Sequence, residues 1–167
     1  MTDHQRTGPP PVDGERATLS GYVQYQRDTL AMKCAGLSAE QLRERAVPPS
    51  PISLLGLVRH MADVERGWFR NVVNGESVSR YWPREDGTDG AFDVDAADPE
   101  EAFRVWREAC ARSRAIVEAA ESLDVTGRHH GEVVSLRYIL AHMIEEYARH
   151  NGHADFLRER IDGAVGE

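Results

Sequence analysis

Lysine occurs once in this chain of 167 residues, at position 33, and every other cation is an arginine. No basic run exists, and the formal net charge is −8. Phosphate backbones require clustered cations, so binding to nucleic acid is disfavoured. Cysteine is almost as scarce. Cys34 and Cys110 have neither metal-type nor redox-type spacing, which excludes a disulfide framework. Both are expected to be buried thiols of a reduced compartment. Cys110, with Arg107, Arg112 and Arg114 nearby in sequence, has a weak second reading as a nucleophile. Long apolar runs are missing, and the opening MTDHQRTGPPPVDGER has no basic segment followed by an apolar one. No membrane span and a cytoplasmic location are therefore expected.

What is present is a helical composition rich in Ala, Glu, Arg and Leu, of a length suited to one domain. Residues 1–14, with three consecutive prolines, are expected to form a flexible arm, and residues 15–167 a single helical domain. A helical pattern runs from Glu15 to Gly36, and a short helix follows with Ser38 as N-cap and Gln41 three residues on. Pro48, Pro49 and Pro51 stop it. A second long helix starts near Ser53 and ends at Asn74 and Gly75. Residues 76–97 read as a long irregular loop, of the kind that often carries function. Asp98 and Pro99 open a third helix that reaches about Ser122. After the loop DVTGRHHGEVV, Ser135 caps a fourth helix that Gly163 ends. Four long amphipathic helices and no convincing strand predict an all-α four-helix bundle with a long loop between helices two and three.

Advancing about 100° per residue, Leu136, Leu140, Met143, Tyr147, Ala154, Leu157 and Ile161 make the buried stripe of the last helix. His150 falls inside that stripe, Glu146 lies on its margin, and His153 and His142 sit further out on the same side. A Glu and a His four residues apart project from successive turns in one direction, the spacing with which a helix offers two ligands to one ion. His142, Glu146 and His150 together span about 12 Å of rise and cannot share an ion. A third ligand must come from another helix, and His60, beside the apolar row of helix two, is the natural candidate. Spacing alone leaves other readings open: a lone histidine on an apolar face also serves as a hydrogen-bonded core residue, and acid–histidine pairs also occur in solvent. Glu65 falls in the middle of the apolar face of helix two, so it must be paired with an arginine, hydrogen-bonded, or placed in a wet cavity. His129 and His130 are expected to be exposed.

His60, Glu146 and His150, embedded in LLGLVRHMADVERGWF and HMIEEYARHNGHADFLRERIDG, resemble the DinB-like superfamily of metal-binding four-helix bundles, and within it the single-domain mycothiol-dependent S-transferases. The superfamily pattern supplies three histidines, and here Glu146 replaces one of them. The metal-binding domain of mycothiol-dependent maleylpyruvate isomerase uses the same His, Glu and His set, so the departure points to the thiol-using branch, where zinc is the usual metal. The resemblance covers about residues 50 to 163 and is most specific in the last helix.

The resemblance implies zinc held by His60, Glu146 and His150, mycothiol as thiol co-substrate, and an electrophilic small molecule as acceptor, in detoxification or in a single biosynthetic or catabolic step. Thiol-assisted isomerisation is a close variant. A coordinated thiol is deprotonated, so no protein cysteine is needed as nucleophile. His153 is the catalytic candidate, as a partner of the ligands or a proton relay. Arg149, Arg158 and Trp68 are candidates for binding the thiol or acceptor, and Tyr81 and Trp82 for lining the mouth. The same site with water in place of thiol would be a metal-dependent hydrolase, and a non-catalytic metal-binding stress protein is the third reading. The sequence writes no oligomeric state, and a homodimer is kept open.

Overall fold

Single side chains set most of the helix boundaries. In the computed structural model, which describes residues 6–166, α1 spans Glu15–Cys34 and the short α2 spans Ala39–Arg43. Ser38 and Gln41 form a reciprocal capping box at the start of α2. Helix α3, Leu54–Glu65, starts where Ser53 Oγ accepts from the Gly56 amide, and α4, Pro99–Ala119, where Asp98 accepts from Glu100. Helix α5, Leu136–Asp162, is capped by Ser135 and ends at Gly163 with φ of 78°, a left-handed stop that glycine adopts without penalty. Residues 1–5 of the expected arm lie outside the described residues. Residues 6–14 carry no regular helix or strand, and Pro9 and Pro10 rest on Gly21 of α1.

Two features differ from the sequence expectation. The second long helix is α-helical only to Glu65 and continues as a π-helix over Arg66–Val73, closed by an Asn74 amide bond to the Phe69 carbonyl. The wider turn keeps Phe69 and Val72 buried while Arg66, Gly67, Trp68 and Asn71 border a cleft. The loop before α5 is a hairpin, β1 (Thr126–His129) antiparallel to β2 (Glu132–Ser135). His130 and Gly131 both have positive φ, 48° and 87°, as a two-residue turn with the right twist demands. Strands of four residues, one of them reading TGRH, are too short and too polar to show alternation. Gly127 of β1 lies so close to the Val72 carbonyl that any Cβ would collide with it, which docks the hairpin on the end of the π-helix.

Helix α1 packs chiefly on α5 and α3 on α4, with α3 also meeting α5 and α1, which completes a four-helix bundle. The predicted stripe of α5 is buried from Leu136 to Leu157, with Ile161 packed at its edge. Glu65 is fully buried and paired: Arg27 of α1 holds both its oxygens, at 2.7 and 2.8 Å. The Tyr147 hydroxyl donates to Glu65 Oε1 at 2.8 Å and accepts from Trp106 Nε1 at 3.0 Å. Burial pushes the Glu65 carboxyl up, yet Arg27 and the hydroxyl donors hold it below its ordinary value. Charge that is fully hydrogen-bonded is the only kind a core tolerates.

Candidate metal centre

His60 leaves α3 one turn before its end, and Glu146 and His150 leave α5 one turn apart. The three donor atoms meet at the α3–α5 seam: Glu146 Oε1 lies 3.2 Å from His60 Nε2 and 3.3 Å from His150 Nε2. The two rings stand edge to face, 4.8 Å between centroids. Ligands at about 2.0–2.1 Å from a tetrahedral zinc are separated by about 3.3–3.4 Å; the oxygen lies at about that spacing from each nitrogen, and all three atoms fall within 4.8 Å of one another. Two imidazoles thus converge on one carboxylate oxygen, an arrangement that could hold a metal ion. All three side chains are partly covered, 14 to 19% exposed, so a site here is sheltered yet reachable.

Of the two outward nitrogens only that of His150 has a hydrogen-bond partner; His60 Nδ1 is buried with none among the described residues. His60 Nδ1 faces Asp89 Oδ2 at 3.5 Å, and the ring stacks on Phe92 at 5.7 Å. Phe92 reaches that place because Gly56 has no Cβ, which would otherwise collide with the phenyl ring. His150 Nδ1 lies 3.2 Å from His153 Nδ1. Either ring can donate in this contact; a His150 whose Nε2 held an ion would carry its proton on Nδ1 and donate it to His153. Such outer partners fix the tautomer and orientation of metal-binding histidines. Burial and then repulsion from His60 lower the His150 pKa, with Glu146 opposing. Burial raises the Glu146 carboxyl, but the His60 hydrogen bond and the positive potential of His150, His60 and His142 outweigh it and lower the net value. Both shifts favour the protonation states that bind a cation.

A cleft of about 460 Å³ opens beside His60, walled by the π-helix, the hairpin and the 76–97 loop. Trp68 stands on its wall, with His129 at 4.3 Å and His142 at 4.7 Å between ring centroids. His129 is therefore half-buried, contrary to the expected exposure, while His130 is exposed. A larger cavity, about 1290 Å³, lies elsewhere, between α1 and α4, and is lined by none of the three clustered residues. Volume alone does not find the chemistry.

The other predicted residues are dispersed. His153 joins the cluster through His150. Arg149 is exposed and lies 3.8 Å from Glu145. Arg158, about 12 Å of helix rise beyond His150, is turned to the end of α1, where it donates to the Lys33 and Ala35 carbonyls and pairs with Asp162. Tyr81 and Trp82 line a neighbouring depression with Arg59. His142 turns to Glu145 at 3.3 Å, and with Glu146 these make a second, more exposed grouping. Cys34 and Cys110 are both buried and free; burial pushes the Cys34 thiol up to about 12 and Cys110 higher still. Neither is a nucleophile at neutral pH. Asp89, Phe92, Arg66 and Arg128 escaped the sequence reading because loops, hairpin and π-turn have no periodicity to read.

The bundle and its convergent His, Glu and His donors define a mostly helical scaffold with a candidate three-ligand metal site. A family model described as mycothiol-S-transferase matches residues 18–163, and the chain belongs to that family. Among solved structures it is similar to YfiT from Bacillus subtilis, described as a probable metal-dependent hydrolase with an unusual four-helix bundle topology. The two share 15% identity and a TM-score of 0.66 over 95% of each chain. It is also similar to a conserved protein from Enterococcus faecalis, at 13% identity and a TM-score of 0.64, over 92% of this chain and all of that one. These likenesses establish the DinB-like fold. None of the curated proteins matches the sequence.

Proposed function

We propose that the chain is a zinc-dependent transferase that joins the thiol of mycothiol to an electrophilic small molecule. The observation that carries this is the convergence of His60, Glu146 and His150 on one point at metal-ligand spacing, beside a cleft, in a member of the mycothiol-S-transferase family. His60, Glu146 and His150 would hold the ion. Zinc bound by three protein ligands keeps a position open and lowers the pKa of a thiol bound there.

The remaining roles belong to the chain. Glu146 would offset part of the ion's charge and two neutral imidazoles would add none, which would leave net positive charge for a thiolate. With the ion bound, His153 would hold the His150 imidazole by accepting from its Nδ1, and Asp89, 3.5 Å from His60 Nδ1, is the nearest group to do so for His60. His153 is thus a positioning residue in this reading. Trp68 supplies an apolar wall of the cleft beside His60. In addition to an unsaturated acceptor, a carbon–sulfur bond forms, the π pair moves to the neighbouring carbon, and the proton lost by the thiol completes that carbon. No oxidant or further reactant is needed.

Metal analysis of the purified protein, combined with a mycothiol conjugation assay against a panel of electrophiles, tests the proposal. About one zinc per chain and turnover that requires mycothiol are expected. Turnover indifferent to the thiol would move the reading to a hydrolase using the same site with water, and absence of both metal and conjugation would overturn it.

A further inference from the structure

The cleft beside His60 holds more positive charge than its own acids answer, in a chain whose net charge is −8. Arg66, Arg80 and Arg128 line it, against Asp63 and Asp89. Asp89 divides one carboxylate between His60, at 3.5 Å, and Arg80, at 3.7 Å. Asp63 gives one oxygen to the Tyr81 amide and makes no ion pair with the cleft arginines within 4 Å. Arg66 and Arg128 make no ion pair among the described residues. Arg66 stacks 4.1 Å above the Tyr81 ring, and its Nε is buried with no hydrogen-bond partner. Arg128 has only a 3.5 Å contact to the Gly131 carbonyl.

Buried guanidinium donors without acceptors are costly, and a planar guanidinium held on an aromatic face is pre-set for a planar anion. The π-turn brings Arg66 to one wall, and the hairpin brings Arg128 to another. Val64, Trp68 and Val72 give the same cleft apolar surface, and its volume suits a small organic molecule. We infer that this cleft is a carboxylate subsite: the electrophile is an organic acid whose carboxylate is held by Arg66 and Arg128 while its reacting carbon lies on the His60 side. The assignment rests on the transferase reading and names the class of its acceptor.

The test is calorimetric titration of the zinc-loaded protein with succinate, its neutral isostere succinamide, inorganic phosphate and mycothiol, repeated on Arg66→Gln and Arg128→Gln with zinc content measured in each. Saturable succinate binding, at least tenfold tighter than succinamide and phosphate, is expected, with each variant weakening it about tenfold at unchanged zinc content. Three results would overturn the subsite: succinate no tighter than succinamide or phosphate, variants that bind succinate like the parent and so leave it on the metal alone, or variants that lose mycothiol and not succinate. Failure of the transferase reading would appear separately, as absent zinc or as no thiol-dependent turnover with any electrophile, acidic or neutral.

Discussion

At the level of single residues, the chemistry turns on which nitrogen of each histidine faces inward. His150 and His60 both present Nε2 to the cluster; the other nitrogen of His150 meets His153, while that of His60 is buried without a hydrogen bond, 3.5 Å from Asp89. His153→Ala should weaken zinc affinity about 10–100-fold by chelator competition, the usual loss for an outer partner, while His153→Asn, which keeps an acceptor, should retain most of it. An unchanged affinity in the alanine variant would remove His153 from the site. Acid should act in a definite window. The folded His150 pKa lies below the ordinary value of 6.5, so its contribution to the metal-free fold is complete above that value and lost as pH falls through the folded pKa. Glu146, also lowered, adds a second loss in the carboxylate range below 4.5. Both signs agree: thermal stability of the metal-free protein should fall from pH 7 to pH 5 and again towards pH 4, less steeply in His150→Gln.

Elements are tied together by the buried Arg27–Glu65 pair, which joins α1 to the last turn of α3 where the π-helix begins. Glu65→Leu alone should cost about 3–5 kcal/mol in denaturant unfolding, because it strands a buried guanidinium, and the double change with Arg27→Met should recover most of that loss. Equal stability of single and double variants would show that the pair is not coupled. Gly127→Ala should force the hairpin off the Val72 carbonyl, at about 1–3 kcal/mol. That displacement would also carry Arg128 and His129 away from the cleft, so succinate binding should drop with it.

For the molecule as a whole, the core does not depend on the metal. Tyr147, Met143, Leu140 and their neighbours bury the α5 stripe independently of the three ligands at its edge. Chelation should therefore leave the far-ultraviolet helical spectrum intact, unlike a small zinc domain that unfolds without its ion. It should lower Tm by the binding free energy: zinc at about 1,000 times its Kd adds about 4 kcal/mol. Loss of helicity on chelation would mean that the centre is structural.

The helices, their caps and the shared face of Glu146 and His150 on α5 were legible because their signals are local. Ser38, Ser53, Asp98, Ser135 and Gly163 act within one turn, and Glu146 and His150 share a helix whose period is known in advance. The pairing of Glu65 with an arginine followed from the cost of burial, but only folding named Arg27, 38 residues away. The π-turn, the hairpin and the cleft were not legible, because they depend on contacts between segments distant in sequence: Gly127 against Val72, Phe92 against Gly56, Arg66 over Tyr81. Local periodicity by itself determined the bundle and which residues face inward. Only the tertiary structure decided that His60 meets the α5 pair across the seam and that arginines from two unrelated turns share its cleft, since distance in space is set by packing and leaves no trace in local order.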